Sequence, residues 1–150
     1  MVTRFLLDVN VLIAIHSPSH KDFHRVHRWF ETKAIERFAT CALTQAGFVR
    51  ISAQISEQSV ASELAESRIA LRESIARPGH ACWPMDIGYL EATEPLRSGM
   101  HGHRQITDAY LLGLALHHGG KLATLDRRAI THLAGSEFAD SVEMIPLALD

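Results

Sequence analysis

Two short apolar segments that each end at an aspartate constrain the fold of this chain most strongly. Phe5 to Leu7 is followed by Asp8, and residues 121–125 are followed by Asp126. A compact apolar run that ends in polar residues is typical of a buried β-strand. The sequence therefore places both aspartates at the carboxyl ends of strands.

Segments with helical periodicity alternate with these strands. Further strands are predicted over residues 37–42, 81–85 and 142–146, and helices from about Val11 and over residues 23–34, 45–54, 59–77, 90–96, 107–118 and 127–133. This alternation predicts an α/β fold with a mostly parallel central sheet flanked by helices and joined by right-handed crossovers. The length of 150 residues fits a single domain over residues 1–150.

Local signals define several boundaries of these elements. Thr44 and Thr107 are each predicted to cap the start of a helix, and Gly119 to end the second of these helices. Pro84 favours an edge position for the strand at residues 81–85, because proline cannot donate to a strand ladder.

Composition favours a protein without a membrane span and gives no global sign of nucleic-acid binding. No run of about 18 apolar residues occurs, and Asp8 and Asn10 interrupt the apolar start where a signal peptide needs an unbroken stretch, so a cytoplasmic location is expected. The formal net charge is −2, so contact with nucleic acid must depend on a local patch. Cys41 and Cys82 lie in short apolar runs, which predicts buried free thiols.

Three aspartates that are distant in sequence are predicted to meet at one edge of the sheet. In a parallel α/β sheet, binding crevices form at the carboxyl ends of the strands, where the following helices also begin. Asp8 and Asp126 end strands, and Asp108 lies in the first turn of a predicted helix. We therefore expect all three carboxylates to converge there.

The electrostatics of such a cluster indicate a metal site. Neighbouring carboxylates repel one another and raise each other's pKa values unless a divalent cation holds them ionised. Carboxylate oxygens are hard ligands that select Mg²⁺ or Mn²⁺ rather than zinc. A site of this kind suits the hydrolysis of phosphodiester bonds, with one or two ions.

Each aspartate also has an ordinary structural interpretation. Asp8 suits a turn after a strand, and Asp108 is an acid that the helix dipole favours in a first turn. Asp126 suits the cap of a short helix that starts at Arg127. The metal-site hypothesis depends on the combination of the three acids, one of which lies on an otherwise apolar helix face.

These segments resemble the PIN-domain family, and within it the VapC toxins of bacterial toxin–antitoxin pairs. The matching stretches are FLLDVNVLIAI, ATCALTQAGFVRI and QITDAYLLGLALHHGGKLATLDRR, of which the last is the most specific. The resemblance covers nearly the whole chain. It gives Asp8, Asp108 and Asp126 the places of metal-binding acids, with Asn10 and Thr124 as supporting polar residues.

The resemblance implies a Mg²⁺- or Mn²⁺-dependent endoribonuclease that forms a homodimer and is inhibited by a VapB-like antitoxin covering the active cleft. One position departs from the pattern, because the family normally has glutamate where this sequence has Gln45. Glutamine keeps a carbonyl oxygen but removes a negative charge, so metal affinity should fall. Either activity is weakened, or three aspartates suffice.

Two other functions remain open at this stage. The chain is an inactive PIN module that acts through its antitoxin if Gln45 abolishes metal binding. A structure-specific DNA nuclease is a third candidate, although the charge balance and small size count against it.

Several other residue groups have a possible function and an ordinary alternative. A histidine triplet at helical spacing (His20, His24 and His27) has the spacing of a zinc site, but a solvated helix face is favoured. Four arginines near the proposed edge are candidates for phosphate contacts or plain solvated residues: Arg50, Arg104, Arg127 and Arg128.

Overall fold

Five short parallel strands form the central sheet of the computed structural model, which describes residues 2–147. They are β1 (Phe5–Leu7), β2 (Phe38–Thr40), β3 (His80–Cys82), β4 (Lys121–Thr124) and β5 (Val142–Met144), in the spatial order β3-β2-β1-β4-β5. All neighbouring pairs are parallel. The predicted α/β fold with a parallel sheet is confirmed. The predicted domain span of residues 1–150 includes residues 1 and 148–150, which lie outside the described residues.

Seven α-helices connect and cover the strands within residues 2–147. They are α1 (Val9–His16), α2 (Phe23–Trp29), α3 (Ala42–Ile55), α4 (Val60–Ile75), α5 (Tyr89–Thr93), α6 (Ile106–His117) and α7 (Ala129–Ala134). A single π-helical turn, Phe30–Ala34, continues α2. Short 3₁₀ turns lie at Glu94–Gly99, His103–Gln105 and Ala139–Ser141.

The alternation of side chains along β1 divides the core into two halves. Leu6 packs into a cluster with residues of α6 and α7, whereas Phe5 and Leu7 pack into a second cluster with α1 and α2. Successive strand residues point to opposite faces, so a central strand that is apolar throughout must be covered on both sides. All three residues of β1 are buried.

The strand order creates a crevice beside the middle of the sheet. The chain leaves β1, builds β2 and β3 on one side, and then returns to place β4 on the other side of β1. The connections after β1 and β4 therefore diverge, which is the position where open α/β sheets form their binding clefts. Leu7 and Ala123 are paired in register, so the residues that follow them reach this crevice together.

Both predicted threonine caps are corrected by the structure. Helix α3 begins after Cys41, and Thr44 lies inside its first turn, where the Thr44 Oγ1 accepts the Cys41 N–H at 3.0 Å. Helix α6 follows Gln105, and Thr107 is exposed. A 3₁₀ turn runs directly into α6 and supplies carbonyl partners for its first N–H groups, so no separate cap is needed.

Other expectations divide into those that hold and those that are wrong. Strand β3, which Pro84 follows, lies at the edge of the sheet as expected. Cys41 is a buried free thiol, but Cys82 is exposed because its edge strand is only partly covered. Within residues 2–147, no helix is both long and apolar enough to cross a membrane.

Candidate active site

Asp8 is fixed by hydrogen bonds at the junction of β1 and α1. It is the N-cap of α1, and its Oδ1 accepts the Val9 N–H at 2.8 Å. Its Oδ2 accepts the Thr124 hydroxyl at 2.8 Å. The side chain is buried, with a relative exposure of 7%. Both oxygens are therefore held in one orientation.

Thr124 links Asp8 to Asp126 through a single hydroxyl group. The Thr124 Oγ1 donates to Asp8 and accepts the Asp126 N–H at 3.1 Å. The Asp126 Oδ1 in turn accepts N–H groups of Arg128 at 3.1 Å and Ala129 at 3.0 Å. Asp126 thus has the local role of a turn residue before α7 and also faces Asp8 across the crevice.

Asp108 lies in the first turn of α6 and is electrostatically coupled to the other two acids. Its pKa is raised from 3.8 to about 7, first by burial and then by the charges of Asp8 and Asp126. The pKa of Asp8 is also raised, chiefly by burial and further by Asp126, although hydrogen bonds from Thr124 and Val9 act in the opposite direction. The chain therefore gathers three acids whose ionised forms destabilise one another.

Within residues 2–147, none of the three acids forms an ion pair with a basic side chain. The acids that form ion pairs with basic side chains, namely Asp22, Glu94, Glu143 and Asp86, lie elsewhere in the fold. Oxygen donors on three carboxylates fit a hard divalent cation such as Mg²⁺ or Mn²⁺. The spacing is open, since among residues 2–147 the carboxylate oxygens of these three aspartates do not all lie within 4.8 Å of one another.

Asn10 contacts the end of β4, whereas Gln45 contacts β2 and β3. The Asn10 Oδ1 accepts the Leu125 N–H at 3.4 Å, which places it between β1 and β4. The Gln45 amide donates to the Thr40 Oγ1 at 2.9 Å and lies 3.8 Å from the Cys82 Sγ. Its hydrogen bonds therefore join β2 and β3 rather than the aspartates.

A polar chain at the end of β2 was not anticipated from the sequence. The Thr40 hydroxyl oxygen accepts from the Gln45 amide and lies at hydrogen-bond distance, 2.7 Å, from the His80 Nε2. Thr40 is fully buried, and burial lowers the pKa of His80. The only sequence signal for it is a threonine that ends a strand, as Thr124 does.

The histidine triplet and the arginines have mostly local roles. His27 Nε2 lies 2.7 Å from the Ile15 carbonyl, and the His20 Nδ1 accepts the Asp22 N–H. Arg127 donates to the Ile145 carbonyl at 2.9 Å. The remaining members of the proposed phosphate-binding set, Arg50, Arg104 and Arg128, are exposed.

An apolar groove between α3 and α4 opens beside Gln45. It has a volume of about 830 Å³, and Val49, Leu64 and Leu71 form part of its lining. Helix α4 leaves apolar residues uncovered, since Val60 and Leu64 are 61% and 38% exposed. The groove is thus an uncovered apolar surface that reaches the polar end of β2.

Comparison with known proteins agrees with this architecture. The family model for the PIN domain matches residues 5–135. Ribonuclease VapC39 of Mycobacterium tuberculosis is 37% identical over 142 residues, which cover 93% of this chain and 98% of the relative. Ribonuclease VapC44 of the same species is 39% identical over 135 residues, which cover 89% and 94%.

Two solved structures have the same fold at low sequence identity. The crystal structure of FitAcB from Neisseria gonorrhoeae matches with a TM-score of 0.64 and 21% identity, and covers 97% of this chain and 99% of that one. The structure of FitAB bound to an IR36 DNA fragment matches with a TM-score of 0.67 and 19% identity, and covers 97% of both chains.

Proposed function

This chain belongs to the PIN-domain family, as a VapC-like member, and from that premise we propose that it is a Mg²⁺- or Mn²⁺-dependent endoribonuclease, the toxin of a toxin–antitoxin pair. The observation that carries the proposal is the pKa of Asp108, which is raised to about 7 first by burial and then by the charges of Asp8 and Asp126. An arrangement that costs stability without a cation is typical of a metal-dependent site.

The donor set fits the ion that the family implies. Asp8, Asp108 and Asp126 would hold a divalent cation. When bound, such an ion supplies charge neutralisation, polarises a phosphoryl oxygen and makes a water more acidic. Thr124 acts as a positioning residue, because its hydroxyl fixes the Asp8 Oδ2. Because the pKa of Asp108 is raised to about 7, a bound cation would favour its ionised form by adding positive charge beside it.

The test of this proposal is RNA cleavage by the purified chain, freed of any antitoxin, with Mn²⁺ or Mg²⁺. Asp8→Asn should remove cleavage, because the variant loses a negative charge that Thr124 and Val9 hold in place. Asp140→Asn is the matched control, since Asp140 is exposed in a 3₁₀ turn outside the cluster. If Asp8→Asn cleaves RNA as well as the parent chain does, the proposed mechanism is wrong.

A second candidate function is an inactive PIN module that acts through antitoxin binding. The observation that favours it is the side chain of Gln45, which bonds to Thr40 instead of turning to the aspartates. Gln45→Glu separates the candidates in assays of growth arrest and metal-dependent cleavage. Activity that appears only in the glutamate form supports the binding module, and equal activity in both forms excludes it.

We further propose that the α3–α4 groove receives part of the antitoxin. Its apolar lining and its position beside Gln45 would let a bound segment reach the acids with an arginine. Leu64→Asp should weaken complex formation with the antitoxin encoded upstream, measured by calorimetry. Leu90→Asp is the control, because Leu90 is 82% exposed and does not line the groove. Equal affinities of the two variants would place the antitoxin elsewhere.

The homodimer is a separate part of the proposal. Helix α4 leaves Ile69 and Ile75 more than one third exposed, an apolar surface that a second copy could cover. Light scattering of the antitoxin-free chain tests it directly, and a monomer at micromolar concentration would exclude it.

A further inference from the structure

A second group of potential metal ligands lies at the opposite end of α6 from the aspartates. Asp86, in the loop after β3, has its Oδ1 3.2 Å from the His117 Nε2 and 3.2 Å from the His118 Nε2. The ligand atoms of all three residues lie within 4.8 Å of one another, the one such group among residues 2–147. Neither the family resemblance nor the proposed nuclease uses these residues.

The distances fit the first coordination shell of a tetrahedral metal ion. Ligand atoms that each lie about 2.0–2.1 Å from a zinc ion are about 3.3 Å apart along the edge of the tetrahedron. The observed separations of 3.2 Å between the Asp86 oxygen and the two imidazole nitrogens are close to that edge. To bind an ion at this position, the His118 Nε2 would lose its hydrogen and exchange its hydrogen bond to the Pro84 carbonyl for the metal.

Packing holds both histidine-bearing and aspartate-bearing segments in place. The His118 ring stacks on Trp83, with centroids 4.8 Å apart, and its Nε2 lies 3.1 Å from the Pro84 carbonyl. Gly120 permits this approach, because a Cβ there would lie 2.5 Å from the Trp83 ring. The loop and the helix end are therefore mutually fixed before any ligand arrives.

Charge at this end of the helix also favours a cation. The last carbonyl groups of α6 carry the negative end of its dipole, close to His117 and His118. Two imidazoles and one carboxylate select zinc and neighbouring transition metals over Mg²⁺. His117 and Asp86 are exposed, with 36% and 49% of their side-chain surfaces accessible, so an ion can enter from solvent.

We propose that Asp86, His117 and His118 form a binding site for a divalent transition-metal ion of the zinc class, with a fourth position left for water. The site is separate from the aspartate cluster. Asp108 and His117 lie nine residues apart on α6, which corresponds to about 13 Å along the helix axis. Binding would tie the loop after β3 to the end of α6.

The experiment is a Zn²⁺ titration of the Trp29→Phe chain in excess Mg²⁺, followed by calorimetry and by the fluorescence of its remaining tryptophan, Trp83. We expect one zinc ion per chain and a change in fluorescence. Asp86→Asn and His118→Ala should each weaken binding by at least about tenfold, the scale of losing a group that supports a metal. His117→Ala tests the same loss without disturbing the ring that stacks on Trp83.

Two controls distinguish this site from other binding. His132→Ala removes a histidine that faces His101, at 6.0 Å between rings, and should leave zinc affinity unchanged. Asp108→Asn should also leave it unchanged. The proposal is overturned if Asp86→Asn and His117→Ala bind zinc as the parent does, or if Asp108→Asn alone abolishes binding. If Asp86→Asn and His117→Ala bind zinc normally, the contacts among Asp86, His117 and His118 are only hydrogen bonds and ion pairs.

Discussion

The two ends of α6 hold polar side chains in different environments, one partly buried among acids and the other exposed. At its start, burial and then the charges of Asp8 and Asp126 raise the pKa of Asp108 to about 7. At its end, His117 and His118 contact the exposed carboxylate of Asp86. Burial and like charge at the start of α6 are unfavourable without a ligand, and they therefore indicate that the functional site is at this end. The exposed end satisfies its groups pairwise even without an ion.

The largest expected effect is a loss of RNA cleavage from a substitution at the start of α6 that leaves zinc binding at its end unchanged. Asp108→Asn should reduce Mn²⁺-dependent RNA cleavage by about 100-fold or more, because a carboxylate that would hold the cation becomes neutral. Zinc affinity at the far end should be unchanged. Cleavage rates and zinc calorimetry on one preparation make the comparison, with Asp140→Asn as the surface control. If Asp108→Asn retains RNA cleavage, the start of α6 is not part of the catalytic site.

A second variant tests whether the orientation of Asp8 depends on the buried hydroxyl of Thr124. Thr124→Val keeps the shape of the side chain but removes the hydrogen bond to the Asp8 Oδ2. Cleavage should fall by about 10- to 100-fold, as for groups that orient metal ligands. The concentration of Mn²⁺ needed for half-maximal rate should rise as well. Thr131→Val is the control, since Thr131 is exposed on α7. An unchanged metal requirement would mean that Thr124 only packs.

The packing of the middle of α6 against α5 can be tested by a substitution at Gly113. Gly113 packs so closely on α5 that a Cβ would lie 2.2 Å from the Ala92 carbonyl oxygen. Gly113→Ala should therefore lower the free energy of unfolding by about 1–3 kcal/mol through overpacking. Gly88→Ala, where a Cβ meets nothing within 4 Å, is the control. Chemical denaturation measures both, and equal stability would show that the helices separate freely.

The smallest expected effect is a pH dependence of stability in the metal-free chain. The pKa of Asp108 is about 7 in the folded protein against an ordinary value of 3.8, so the protonated form favours folding. This contribution is complete below 3.8 and is lost as pH rises through about 7. The melting temperature should therefore fall between pH 5 and pH 8, and Mg²⁺ should reduce the fall.

His16 gives an opposing trend that a difference measurement removes. Burial lowers the pKa of His16 to about 4, so its stabilising contribution is present above 6.5 and is lost as pH falls through 4. The difference between the parent and Asp108→Asn isolates the aspartate, because His16 is common to both. Parallel pH profiles of the two chains would contradict the raised pKa of Asp108.

The sequence predicted the parts of this molecule that depend on local pattern and strand order. Asp8 and Asp126 end buried strands, and Asp108 lies in a first helical turn, as the apolar periodicity and the parallel topology required. The caps at Thr44 and Thr107 were wrong for different reasons: α3 begins after Cys41, so Thr44 lies within its first turn, and a 3₁₀ turn leads directly into α6.

Contacts between distant segments were beyond such reasoning. The His117–His118 pair is visible in the sequence, but nothing local places Asp86 beside it. The bond between Gln45 and Thr40 likewise depends on how α3 returns over β2. The exposed face of α4 has the same periodicity as a buried one, so the pattern cannot distinguish a core contact from a partner surface.

The in-register pairing of β1 with β4 makes the geometry of the acids a property of the whole sheet. The amide of Asp8 donates to the Ala123 carbonyl at 3.0 Å, one step beyond the last paired residues of the most buried strands. Its exchange with deuterated solvent should therefore require global unfolding, whereas amides of the exposed helix α4 should exchange through local opening. Mutations in α4 could therefore make the α3–α4 groove more mobile without changing the positions of the aspartates.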